Sequence, residues 1–116
     1  MKKTTQPWYL LSLVIVTITL ISGWAYSKEM DGKTIAFDRA KGNCLACHAM
    51  DDGEMSGNIG PPLIVMKARF PERAILKAQI WDATAKNSTS IMPPFGKHHI
   101  LTDGEIEKLI DYLYTL

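Results

Sequence analysis

The chain has 116 residues, 13 basic against 12 acidic, a formal charge of +1 and two cysteines. A near-neutral charge argues against a nucleic-acid partner, and two cysteines cannot form a disulfide framework. Once a targeting stretch at the start is set aside, about 90 residues remain, enough for one small domain whose own core is marginal.

Lys2 and Lys3 open the chain, and Leu10 to Gly23 is apolar apart from Ser and Thr. Trp24-Ala25-Tyr26-Ser27 places small residues where a signal peptidase needs them, so residues 1–27 read as an export signal and 28–116 as the domain. The competing reading is an uncleaved anchor. Trp8 to Ala25 is about 18 residues, just long enough to span a bilayer, and Trp8 and Trp24 suit its two interfaces. Both readings put the domain on the periplasmic side of an inner membrane, with membrane attachment only in the second.

Residues 28–33 read as a loose polar lead-in. Thr34 to Lys41 reads as a helix, with Ile35, Phe37 and Ala40 on one face. Gly42 and Asn43 suit its close.

Cys44-Leu45-Ala46-Cys47-His48 follows. This is C-x-x-C-H, the attachment pattern for c-type haem. Two thiols three positions apart can reach the two vinyl groups on one edge of a porphyrin and form thioethers. The adjoining His48 then lies under the ring, where its imidazole can bind iron. A thioredoxin-like redox pair and half of a zinc site are the competing readings. The export segment, the lack of any other Cys and a downstream Met flanked by prolines favour haem.

Residues 49–58 form a polar loop in which Asp51, Asp52 and Glu54 cluster. They read as a solvated loop, or more sharply as a docking patch for a basic partner. Gly60-Pro61-Pro62-Leu63 comes next. An iron-bound imidazole usually donates its other N–H to a carbonyl. A rigid proline turn about a dozen residues on can supply one, so Pro61 is the expected acceptor, with Leu63 on the haem edge.

Residues 65–70 are short and mixed. Phe70-Pro71-Glu72-Arg73 marks the start of a helix expected to run to about Ala85, with Ala74, Ile75, Ala78, Ile80 and Trp81 as its apolar positions. Trp81 is expected near the haem. Ile91-Met92-Pro93-Pro94-Phe95-Gly96 is the third key stretch. A thioether is a soft neutral ligand suited to low-spin haem iron, and the prolines stiffen the loop around Met92. Met50 and Met55 are too near His48 in sequence to reach the opposite haem face easily. His98 and His99 are the rival ligands. Thr102 and Glu105 form a capping box, and Ile106, Leu109, Ile110, Leu113 and Leu116 recur at helical spacing, with Tyr112 beside them.

The order C-x-x-C-H, Gly-Pro-x-Leu, Met loop and terminal helix resembles class I cytochromes c over nearly the whole domain. The resemblance implies an all-α fold with N- and C-terminal helices packed around one covalent haem, bound through Cys44 and Cys47 and ligated by His48 and Met92. Ala36 and Ala40 stand where many class members carry a Gly and an aromatic, so Phe37 is expected to take over part of that helix contact. Phe37-Asp38-Arg39-Ala40-Lys41-Gly42-Asn43-Cys44, Gly57-Asn58-Ile59-Gly60-Pro61-Pro62-Leu63, Arg69-Phe70-Pro71 and Met92-Pro93-Pro94-Phe95-Gly96 with Ile100-Leu101-Thr102 look like the SoxX family.

That resemblance implies the monohaem subunit of SoxAX, an L-cysteine S-thiosulfotransferase. SoxAX joins thiosulfate oxidatively to a cysteine of the SoxYZ carrier and passes the electrons to a downstream cytochrome c. The sulfur chemistry is assigned to SoxA, which leaves this chain a redox subunit with no catalytic residue. The alternative is a free periplasmic carrier serving an oxidase or reductase. An apolar rim of Ala46, Met50, Ile91, Pro93, Pro94 and Phe95 is expected around the haem edge, with Phe95 at its centre.

Overall fold

The computed structural model describes residues 29–116; the export or anchor segment read over residues 1–27 lies outside them. Among the described residues there are four α-helices, two single 3-10 turns and no strands. The helices are α1 (Gly32–Phe37), α2 (Met66–Arg69), α3 (Arg73–Trp81) and α4 (Asp103–Leu113), and the 3-10 turns are Cys44–Ala46 and Ala83–Ala85. The all-α expectation holds.

Helix α1 starts earlier and ends sooner than its periodicity suggests. The Asp31 carboxylate accepts from the Thr34 backbone N–H at 2.7 Å, which turns the expected lead-in into a capped helix start. At the other end Asp38 leaves the helix and its carboxylate accepts from Ala40 N–H at 2.8 Å, a local turn that competes with another helical residue. Gly42 N–H returns to the Ile35 carbonyl at 3.0 Å, and Asn43 adopts a left-handed conformation with φ 47°. Those two residues aim the chain into the cysteine turn.

Helix α3 stops at Trp81, short of the expected Ala85. Asp82 is extended, and its carboxylate accepts from Thr84 N–H at 3.1 Å and from the Thr84 hydroxyl, which starts a new 3-10 turn in place of further helix. Its buried residues are Leu76 and Ile80, one turn apart, whereas Ala74, Ile75, Ala78 and Trp81 are exposed. The mixed stretch before it forms one helical turn, α2.

Helix α4 organises the core. Thr102 and Glu105 form the capping box, with Glu105 N–H to Thr102 Oγ1 at 3.2 Å and Thr102 N–H to Glu105 Oε2 at 2.8 Å. Ile106, Leu109, Ile110 and Leu113 are buried on one face, against Ile35 and Ala36 of α1 and with Leu76 and Ile80 of α3 in the same cluster. Glu107 receives Arg73 Nη2 at 2.6 Å and Lys77 Nζ at 2.8 Å, and Arg73 also reaches Asp111 at 2.6 Å. A row of ion pairs thus flanks the apolar contact of α3 with α4.

The α1–α4 contact corrects the alignment on Ala36 and Ala40. Its close-approach glycine is Gly32, where a Cβ would run into the Lys108 carbonyl and the Tyr112 side chain. Phe37 does supply the aromatic, meeting Tyr112 edge-on with ring centroids 6.5 Å apart. Two residues expected on an exposed rim are core instead: Met50 is 3% exposed and Phe95 6%. Both belong to the cluster that contains the apolar face of α4, and burying them there removes apolar area from water.

Candidate haem-attachment site

Cys44–Ala46 forms a 3-10 turn entered through left-handed Asn43. Cys44 opens the turn and Cys47 caps it, its N–H bonded to the Cys44 carbonyl at 3.1 Å, so the two thiols are carried by the two ends of one short turn. Both are half-buried free cysteines. Burial pushes the Cys44 thiol up to about 11, so its neutral form is favoured. A thioether is also neutral and carries no such penalty.

The outer side of the turn is closed by the following loop. Gly57 N–H donates to the Leu45 carbonyl at 2.9 Å and Gly60 N–H to the Cys47 carbonyl at 2.8 Å. A side chain has no room at either glycine: a Cβ at 57 would strike the Ala46 carbonyl, and one at 60 would strike the imidazole of His48. The glycines were visible in the sequence, but nothing there told that one of them lies flat against the histidine ring.

His48 Nδ1 lies 2.6 Å from the Pro61 carbonyl oxygen. A carbonyl only accepts, so Nδ1 donates and the ring lone pair sits on Nε2, the tautomer an iron ligand requires. Leu63 is half-buried against the core, its N–H bonded to the Ala49 carbonyl at 2.8 Å. Arg69 was missed as a participant: its Nη1 donates to the Pro62 carbonyl at 2.8 Å and lies 3.4 Å from that of Ile64.

Met92 lies in the loop between the second 3-10 turn and α4, half-buried against the core, with its N–H 3.3 Å from Ser90 Oγ. The loop is stapled to the end of α3: the Trp81 carbonyl accepts from Gly96 and Lys97 N–H, both at 3.2 Å, and Lys97 Nζ reaches Asp82 at 2.7 Å. Trp81 lies against Gly96, where a Cβ would enter its ring. Of the other methionines after the cysteine turn, Met50 and Met66 are core, and Met55 is 96% exposed. His98 and His99 are exposed.

Two free thiols at the two ends of one turn, an imidazole with its tautomer set by a carbonyl, and a half-buried thioether in a braced loop fit a covalently held haem. The model of one protein family, described as cytochrome c oxidase, cbb3-type, subunit III, matches residues 31–113.

The chain belongs to this cytochrome c family.

Haem c is the cofactor such a domain implies. The cytochrome c domain is also similar to a chain in the crystal structure of SoxXA from P. pantotrophus, with a TM-score of 0.64 and 28% identity, covering 72% of this chain and 77% of that one. The likeness to SoxX read from its motifs is upheld by that match. An uncharacterized lipoprotein of Aquifex aeolicus (strain VF5) is 35% identical over 75 residues, 64% of this chain. The cytochrome c domain spans only 36% of that relative's length. Among the described residues, no helix is long and apolar enough to cross a membrane.

Proposed function

We propose that this cytochrome c domain is the electron-accepting subunit of a SoxAX-type enzyme and carries one covalent haem with His48 and Met92 as axial ligands. When bound, the haem supplies one-electron transfer. Cys44 and Cys47 hold it to the chain through thioethers. His48 presents the Nε2 lone pair while the Pro61 carbonyl fixes the ring and raises its basicity. Met92 offers a soft, neutral sulfur that favours the reduced state. Leu63 packs on the haem edge. Both axial positions are then filled by side chains, and no thiol is left over to carry sulfur. The chain's part is transfer, and the conjugation of thiosulfate to a SoxYZ cysteine belongs to a SoxA-type partner.

The observation that carries the reading is the 2.6 Å bond from His48 to Pro61, within a fold shared with a SoxXA chain. The export-like start and the relative named as a lipoprotein support a periplasmic location. Ala46, Ile91 and Pro93 are exposed, with Ile91 at 73%, and form the apolar surface offered to the partner. A transient carrier relies more often on a charged ring.

The test is purification of the tagged chain from its host. A second haem protein should come with it, and the pair should be reduced by thiosulfate only when the carrier protein is present. The second reading, a free carrier serving an oxidase, is favoured by the oxidase description of the matching family. Isolation of the chain alone, with no thiosulfate-dependent reduction, would establish it.

A further inference from the structure

Residues 60–65 form a strap beside His48 in which each residue is tied down. Gly60 N–H bonds the Cys47 carbonyl, the Pro61 carbonyl receives His48, the Pro62 carbonyl receives Arg69, and Leu63 N–H bonds the Ala49 carbonyl. Ile64 O lies 3.4 Å from Arg69 Nη1, and Val65 N–H bonds the Leu116 carbonyl at 2.6 Å. Val65 has φ 51°. A β-branched residue in the left-handed region is strained and persists only where its surroundings hold it. The strap therefore tends to relax, and two prolines leave it short of backbone donors of its own.

Arg69 answers both problems. It sits at the end of α2, one helical turn beyond Val65, and its N–H returns to Val65 O at 3.1 Å. From there one nitrogen, Nη1, donates to carbonyls on either side of Leu63, 2.8 Å from Pro62 and 3.4 Å from Ile64. Charge-assisted bonds of this kind are stronger than neutral ones. The Pro61 carbonyl and the Pro62 nitrogen share one peptide plane and the Pro62 ring fixes φ, so a single torsion separates the two carbonyls, and holding the Pro62 carbonyl leaves the Pro61 carbonyl few ways to turn away from His48.

We propose that Arg69 is a positioning residue for His48: by clamping the strap it aims the Pro61 carbonyl at Nδ1 and keeps the imidazole in its electron-donating tautomer. The proposal rests on His48 being the iron ligand. In the oxidised holoprotein that reading is checked by itself, because the ring N–H of an iron-bound histidine has a hyperfine-shifted proton resonance. Without such a resonance the ligand reading fails, whatever Arg69 does.

The test of Arg69 is the solvent exchange of that N–H in Arg69→Met and Arg69→Lys holoproteins. Arg69→Lys keeps the charge but lacks the guanidinium fork. Both should exchange faster than wild type, because the ring N–H is held less firmly once its acceptor is free to turn. Their reduction potentials should also rise, because a less basic imidazole stabilises oxidised iron less. Arg73→Met, which cuts ion pairs between α3 and α4, is the control: it should lower Tm and leave the exchange unchanged. If Arg69→Met and Arg69→Lys exchange at the wild-type rate, Arg69 does not position His48. A potential that falls in Arg69→Met and stays constant in Arg69→Lys would show that Arg69 acts by charge alone, and would equally overturn the proposal.

Discussion

Gly32 of α1 lies directly against the backbone carbonyl of Lys108 in α4, with the Cβ of Tyr112 beside it. The terminal elements of the domain therefore meet backbone to backbone. Gly32→Ala would improve helix propensity by up to about 1 kcal/mol. The added methyl must displace a carbonyl inside a helix, which costs about 1–3 kcal/mol or more. The second effect wins, and the variant should melt several degrees lower in a thermal scan while its visible spectrum is unchanged.

Cys44 and Cys47 are the two cysteines of the chain and stand at the two ends of one turn. Haem should stay with the denatured wild-type protein under acid–acetone extraction. Cys44→Ser with Cys47→Ser should release all of it into the organic phase, and single substitutions should leave one thioether and a shifted pyridine haemochrome band.

Met92 is half-buried in a loop stapled to Trp81. If its sulfur binds iron, the oxidised protein has a weak charge-transfer band toward the red end of the visible spectrum. Met92→Ala should abolish that band and lower the reduction potential. A retained band would transfer the role to His98, His99 or another methionine.

Phe95 is 6% exposed and Ile91 73%, so their substitutions should separate folding from assembly. Phe95→Asp places a carboxylate in the core and should cost at least about 3 kcal/mol, enough to unfold a small domain. Ile91→Asp should leave Tm and spectrum intact and weaken association with a second haem subunit, measured by co-purification.

Acid stability should follow the pairs around α4. Lys77 and then Arg73 hold the Glu107 carboxyl below its ordinary value of 4.5, and Lys41, 2.7 Å away, does the same for Glu105. A folded value below the unfolded one gives stability that is complete above 4.5 and lost as pH falls through the folded value. Tm should therefore hold from neutral pH and fall on the acid side, with a shallower fall in Glu107→Gln. Each pair is partly exposed and screened by solvent, so the effect per pair is small.

What the sequence determined by itself was local chemistry. The spacing of Cys44, Cys47 and His48, the proline turn that offers a carbonyl, the braced Met92 and the Thr102–Glu105 cap all act through a few bonds or along one short segment. The apolar repeat of α4 was legible because helical periodicity needs no partner to be seen. Tertiary structure decided what depends on meetings between distant segments. Gly32 is required by the Lys108 carbonyl, and Gly60 by a histidine ring. Met50 and Phe95 sink into the core while Ile91 stays out, because burial depends on which loop lies over α4 and not on how apolar a residue is. Helix ends moved for a local reason that apolar periodicity does not display: Asp31, Asp38 and Asp82 each accept from a backbone N–H two or three residues on and override the propensity of their neighbours. Arg69 could not have been found from its position, since its carbonyl partners face it only once the strap has turned at Val65.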